Sequence, residues 1–295
     1  MIQLSFSAAQ RYLLSPFAWY AHYMLRLRPV DTGSALIFGS ALDCGFNSLL
    51  EDKKAGREID VAKAKAEFDA EFGAIDPQTI KYSKADYDTV SLPENFDMIP
   101  ISTDKNIPME WFCLRYKGYI LIEEYAAQVL PRIQEVYEIQ KEINLTNEVG
   151  DTFTGIIDLI ARIDDKVMIV DNKSSSIKYA QDSVANSEQL ASYYEAMKDE
   201  YPLDGACYIV VPKKLRKVKQ PRVQIEFIFG SISENLIAKT FQDYERVLQG
   251  VKTGQFNCTR NERNGCCSTP WGCGYRSYCQ SGGTDLTGLK VEKKK

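Results

Sequence analysis

The stretch Gly155-Ile-Ile-Asp158-Leu-Ile-Ala-Arg-Ile-Asp-Asp-Lys-Val-Met-Ile-Val-Asp171-Asn-Lys173 decides the fold. Two runs rich in Ile and Val, 153–163 and 166–173, flank the polar pair Asp164-Asp165. That is the pattern of two β-strands joined by a tight turn. A two-residue turn sets Ile163 opposite Lys166, and counting back sets Asp158 opposite Asp171. Side chains alternate along a strand, so Asp171 and Lys173 share a face while Asn172 points away. Two carboxylates and an ammonium are therefore expected together on one side of a sheet. Like charges facing each other repel. A solvated surface hairpin relieves that repulsion, and so does a divalent cation, since Mg²⁺ and Mn²⁺ prefer carboxylate oxygens. Beside such an ion, the lysine can orient water or neutralise charge on a phosphate.

Downstream, 183–199 has helical periodicity, with Val184, Leu190, Tyr194 and Met197 as apolar positions. Gln189 and Tyr193 are four residues apart and project side by side. Taken together, Gly155-x-x-Asp158, Asp171-Asn172-Lys173 and Gln189-x-x-x-Tyr193 resemble the PD-(D/E)XK nucleases, specifically the RecB-type exonuclease branch. That branch includes the AddB-type nuclease domains and the iron–sulfur nucleases of CRISPR adaptation.

The resemblance implies an α/β (α+β) fold: a central mixed β-sheet flanked by helices, with a helical N-terminal region and a Cys-rich C-terminal segment. It implies one nuclease domain over 1–280. Residues 1–130 are its mainly helical part, 131–230 its catalytic sheet, and 231–280 a helix plus the Cys-rich segment; 281–295 is a mobile polar tail. It also implies a metal-dependent DNA exonuclease acting on single strands or duplex ends, in recombination, repair or phage DNA processing. Asp158, Asp171 and the Asn172 carbonyl hold Mg²⁺ or Mn²⁺. Lys173 positions the attacking water, and Gln189 and Tyr193 brace Lys173 or touch the DNA backbone. Two other classes remain open: a catalytically inactive DNA-binding or scaffold subunit, and an RNA-processing nuclease.

Three positions depart from the branch's pattern. Its Gly-x-x-x-His motif stands here as Gly39-x-x-x-Asp43, so the metal-ligand role passes to Asp43, a harder donor. Its opening Cys-Pro is Ser15-Pro16, and the Cys expected three residues before Cys273 is Pro270. Nevertheless, Cys258, Cys266, Cys267, Cys273 and Cys279 crowd into one short stretch. Four thiolates suit a 4Fe–4S cluster or Zn²⁺, and unliganded thiols are the third option. Cys44, Cys113 and Cys207 lie singly in apolar surroundings and are expected as small core residues. The lone histidine, His22, is expected to pack in an aromatic helix.

The 295 residues carry 36 Lys and Arg against 40 Asp and Glu, a net charge of −4. That balance leaves room for a local basic surface. Lys213, Lys214, Arg216 and Lys217 form such a run, readable as a solvated loop or as DNA contacts. No apolar run approaches a membrane span and no signal-peptide pattern opens the chain, so a cytoplasmic protein without a membrane partner is expected. Elsewhere, helices are expected from Ser5, from Phe38, over 54–72, over 107–130 with a break at Lys117-Gly118, and over 233–250. Strands are expected over 131–145, 206–212 and 222–230, with Glu138 approaching the site from a neighbouring strand.

Overall fold

In the computed structural model, which describes residues 1–83, 90–94, 96, 107–216, 222–258 and 273–292, the Ile- and Val-rich runs pair as expected. In chain order the elements begin with β1 (Gln3–Ser5), α1 (Phe6–Leu14), α2 (Pro16–Trp19), a π-helical turn (Tyr20–Met24), β2 (Leu27–Pro29) and β3 (Thr32–Gly33). They continue with α3 (Ser34–Lys54), α4 (Val61–Gly73), β4 (Ile80–Lys81), α5 (Met109–Gln128), β5 (Ile133–Thr146), β6 (Thr152–Ile163) and β7 (Lys166–Ser175). The last are α6 (Glu188–Met197), β8 (Gly205–Pro212), β9 (Glu226–Gly230), α7 (Glu234–Lys252), α8 (Arg276–Gln280) and β10 (Leu289–Val291). The chain divides into two compact units, each stitched from separate segments: Thr32–Glu142 with Ile156–Ser233, and Met1–Asp31 with Ile143–Gly155 and Glu234–Lys295.

The larger unit, Thr32–Glu142 with Ile156–Ser233, holds a mixed sheet. β6 and β7 are antiparallel, with Ile163 opposite Lys166 and Leu159 opposite Val170. Asp164 and Asp165 both take positive φ, 48° and 65°, which is the geometry of a type I′ turn. β8 runs parallel to β7, and β9 antiparallel to β8. Val167–Val170 and Ala206–Val211 are buried without interruption. Such unbroken apolar runs belong to a parallel pair covered on both faces. Among the core's many aliphatic side chains, three helices contribute aromatics: Phe38 and Phe46 of α3, Phe68 and Phe72 of α4, and Trp111 and Tyr125 of α5.

Two helices differ from expectation. α3 runs on to Lys54, and a new helix starts only at Val61, where the Asp60 side chain accepts the Lys63 N–H at 2.9 Å. α5 is unbroken through Lys117 and Gly118. Gly118 is there because the Phe68 ring lies across it, where a Cβ would overlap the ring. Glu138 does not reach the hairpin's acids; it accepts from Tyr201 Oη at 3.0 Å and pairs with Lys54 at 3.4 Å.

In the smaller unit, β1 lies parallel to the first residues of β6, with Leu4 opposite Phe153. Asp151 ties this pairing down: its carboxylate accepts the Ile2 N–H at 3.0 Å and meets Lys252 of α7 at 2.5 Å. Phe153 stacks on Tyr244 of α7 with centroids 4.4 Å apart. Within the stretch expected as a mobile tail, β10 pairs antiparallel with β2. Among the described residues no helix is long and apolar enough to cross a membrane.

Candidate active site

One step beyond the Leu159–Val170 pair, the hairpin brings Asp158 and Asp171 together. Asp158 Oδ2 accepts the Asn172 backbone N–H at 2.8 Å, so the neighbouring strand itself orients that carboxylate. Asp171 is only 2% exposed, at the end of β7's buried run. Lys173, on the same face, sets its Nζ 2.6 Å from Asp171 Oδ2. Apart from this ammonium, no donor reaches the buried Oδ2 among the described residues.

α6 closes over this face. Gln189 Oε1 lies 3.4 Å from Lys173 Nζ, and Gln189 Nε2 donates to Tyr193 Oη at 3.0 Å. The helix starts at Glu188, five residues later than its periodicity suggests, because Ser187 caps it, accepting the Leu190 N–H at 3.2 Å. Ser187 is fixed in turn by Tyr208 Oη at 2.6 Å. Tyr208 sits in β8 directly beside Asp171, and its ring centroid is 5.7 Å from Lys173 Nζ. Sequence reasoning missed Tyr208, and it also missed Tyr125. Tyr125 Oη donates to Asn172 Oδ1 at 3.1 Å from the opposite face, its ring stacked on Phe46 at 4.1 Å. For Tyr208 the sequence signal is an aromatic in an otherwise aliphatic run; Tyr125, which follows Glu123-Glu124, carries none.

Asp43 comes from α3. One turn before it, Gly39 faces Ser174 of β7, whose Oγ would lie 3.7 Å from a Cβ there, an ordinary contact distance. Burial, and then the charge of Asp171, push the Asp43 carboxyl up to about 7, while Lys173 and Lys213 pull the other way. Asp158 is likewise pushed up to about 7, by burial first and then by Asp171 and Asp43. Asp171 is raised by burial and held back by Lys173. Burial would lower the Lys173 ammonium, but Asp171 more than offsets it and keeps Lys173 charged. All three acids are thus raised above the ordinary carboxylate range, and a further positive charge among them favours their ionised forms. The donors are hard carboxylate oxygens, one of them buried with only the Lys173 ammonium beside it, and this set fits Mg²⁺ or Mn²⁺. Among the described residues no three His, Cys, Asp or Glu side chains converge at metal-ligand spacing. Mg²⁺ needs no such convergence: it keeps several waters and is commonly held by one or two carboxylates.

The remaining residues separate. Lys213 is buried, 9% exposed, whereas Lys214 and Arg216 face solvent and Lys217 lies outside the described residues. Lys213 thus does not belong to a solvated loop surface. Cys258, Cys273 and Cys279 are half-buried, and Cys266 and Cys267 lie outside the described residues. Ser15 is 1% exposed, and its hydroxyl accepts the Ala18 N–H at 3.2 Å, capping α2. Cys113 and Cys207 are buried and Cys44 half-buried. His22 Nδ1 lies 2.7 Å from Tyr275 Oη; burial, with Arg11 and Arg28, lowers it to about 4, so it is neutral at pH 7.

The family model of the PD-(D/E)XK nuclease superfamily matches residues 3–280. No curated protein matches the chain. Among solved structures, one described as the crystal structure of SSO0001 is similar over 49% of this chain, at 16% identity and a TM-score of 0.30. The chain covers 60% of that protein's length, less than two thirds.

Proposed function

The chain belongs to the PD-(D/E)XK nuclease superfamily, and from that premise we propose that it is a deoxyribonuclease of the RecB-type branch, an exonuclease using Mg²⁺ or Mn²⁺. The observation that carries this reading is the pairing of half-buried Asp158 with buried Asp171, with Lys173 on the same face. In it, Asp158, Asp171 and the Asn172 carbonyl hold the ion, with Asp43 as a further acid. A bound divalent ion supplies Lewis acidity toward phosphate oxygens and lowers the pKa of water. Lys173 offers its charge to the phosphate oxygen that becomes more negative as the phosphodiester is attacked. Gln189 limits where that ammonium can swing. Burial raises the Tyr193 phenol, so it stays protonated. Since its oxygen already accepts from Gln189, its proton is available to a DNA phosphate. The units are interleaved in sequence, which supports treating 1–280 as one nuclease domain.

Linear DNA incubated with Mg²⁺ or Mn²⁺ tests the reading. We expect release of nucleotides from linear duplexes or single strands and none from covalently closed circles. Asp158→Ala and Lys173→Ala should each lower the rate by at least about a hundredfold. Cleavage by either variant at the wild-type rate removes the assignment, and preferential cleavage of RNA redirects it.

For the Cys-rich stretch we propose a structural 4Fe–4S or Zn²⁺ site built from Cys258, Cys273, Cys279 and one of Cys266 and Cys267. Ser15 cannot contribute while it caps α2. Metal analysis of anaerobically purified protein should find about four irons or one zinc per chain; a chain free of both metals refutes the site.

A further inference from the structure

In the basic run 213–217, Lys213 is turned inward while its neighbours Lys214 and Arg216 are exposed. Its backbone N–H donates to the Ser175 carbonyl at 2.8 Å, which holds it against the end of β7, two residues past Lys173. Its Nζ lies 5.7 Å from the centroid of the Phe38 ring, on α3, the helix that carries Asp43. An ammonium is costly to bury unless a countercharge and a polarisable face receive it. Phe38 supplies the face. The charge of Lys213 is felt at Asp43 on the same helix, where it helps to keep the carboxyl from rising further. Lys173 is braced from α6 and Tyr208, whereas Lys213 lies against α3.

We propose that Lys213 is a second lysine of the site, a positioning residue whose ammonium beside α3 offsets the charge of Asp43 and so sets how tightly the acids hold a divalent cation and how readily they admit a phosphate. The inference rests on the nuclease reading above. With all groups ionised, Asp43, Asp158 and Asp171 against Lys173 alone would leave two uncompensated negative charges, and Lys213 leaves one. A more negative site grips a dication harder and repels a phosphodiester more strongly. Metal affinity and substrate affinity therefore move in opposite directions when Lys213 is neutralised.

The test uses full-length wild type, Lys213→Met and Lys213→Arg. Their melting temperatures are compared first, and Mn²⁺ binding is then titrated calorimetrically at pH 8. Lys213→Met should bind Mn²⁺ roughly tenfold more tightly, as expected for a lost unit charge several ångströms away in a medium of intermediate dielectric. It should also raise KM for linear DNA more than it lowers kcat. Lys213→Arg, which keeps the charge, should stay near wild type in both. A folded Lys213→Met with unchanged or weaker Mn²⁺ affinity overturns the proposal even if the wild type is a nuclease. If Lys213→Met melts too early to titrate, Lys213→Gln replaces it under the same criterion. A wild type that neither binds Mn²⁺ nor cuts DNA removes the nuclease reading and this inference with it.

Discussion

Asp158 is a carboxylate held in two ways that oppose each other. The Asn172 N–H favours its charge, while burial and the charges of Asp171 and Asp43 disfavour it, and the second group prevails. Its folded pKa, about 7, lies above the ordinary carboxylate value of 3.8. Between these values the folded state binds more protons than the unfolded one, so stability falls as pH rises through that window. Asn at 158 carries no charge at any pH. In metal-free buffer, the melting temperature of Asp158→Asn minus that of the wild type should therefore grow from pH 5 to pH 8. Mn²⁺ at pH 8 should shrink the difference by binding the folded wild type. A difference that does not vary with pH would mean that Asp158 is not strained. Which acids meet was legible in the sequence, because alternation and a two-residue turn are local rules. That Tyr125 fixes Asn172 from one face and Tyr208 fixes the α6 cap from the other was not. Both contacts join residues tens of positions apart through β-strand and helix packing that no short window encodes.

At the scale of elements, β6 and β7 were readable to the residue pair because a two-residue turn fixes the register of the strands it joins. Helix ends were less so. Lys117-Gly118 reads as a break by propensity, yet α5 continues, since the glycine is selected by the Phe68 ring and not by the helix. Ser183 and Ser187 are equally good caps on paper, and Tyr208 decides between them. The start of β8 shows the same dependence on a neighbour. Gly205 has φ +153°, and a Cβ there would stand 2.5 Å from the Gly230 carbonyl oxygen of β9. That contact is backbone, so no side-chain rotation relieves it. Gly205→Ala should cost about 2–3 kcal/mol, read as a lower urea midpoint with little change in m-value. A variant as stable as the wild type would show that β8 and β9 can separate at that point without cost.

Across the whole molecule, the division into two units was hidden from the sequence, because β5 and β6 each carry residues of both units. Net charge is equally uninformative about binding: −4 is a sum over the chain, while a polyanion feels only what it touches. The exposed cations Lys214 and Arg216 follow directly on the buried Lys213, which comes just after the apolar run of β8. If they pair with phosphates, DNA binding is driven partly by counterion release, and each contact contributes about 0.7 to 0.9 to the slope of log K against log salt. Binding measured with Ca²⁺ in place of Mg²⁺, to suppress cleavage, should then weaken steeply with salt for the wild type. For the double variant Lys214→Ala, Arg216→Ala the slope should be shallower by about 1.5, with the melting temperature unchanged because neither side chain is buried. An unaltered slope would assign Lys214 and Arg216 to solvent and leave phosphate binding to Lys173 in the site.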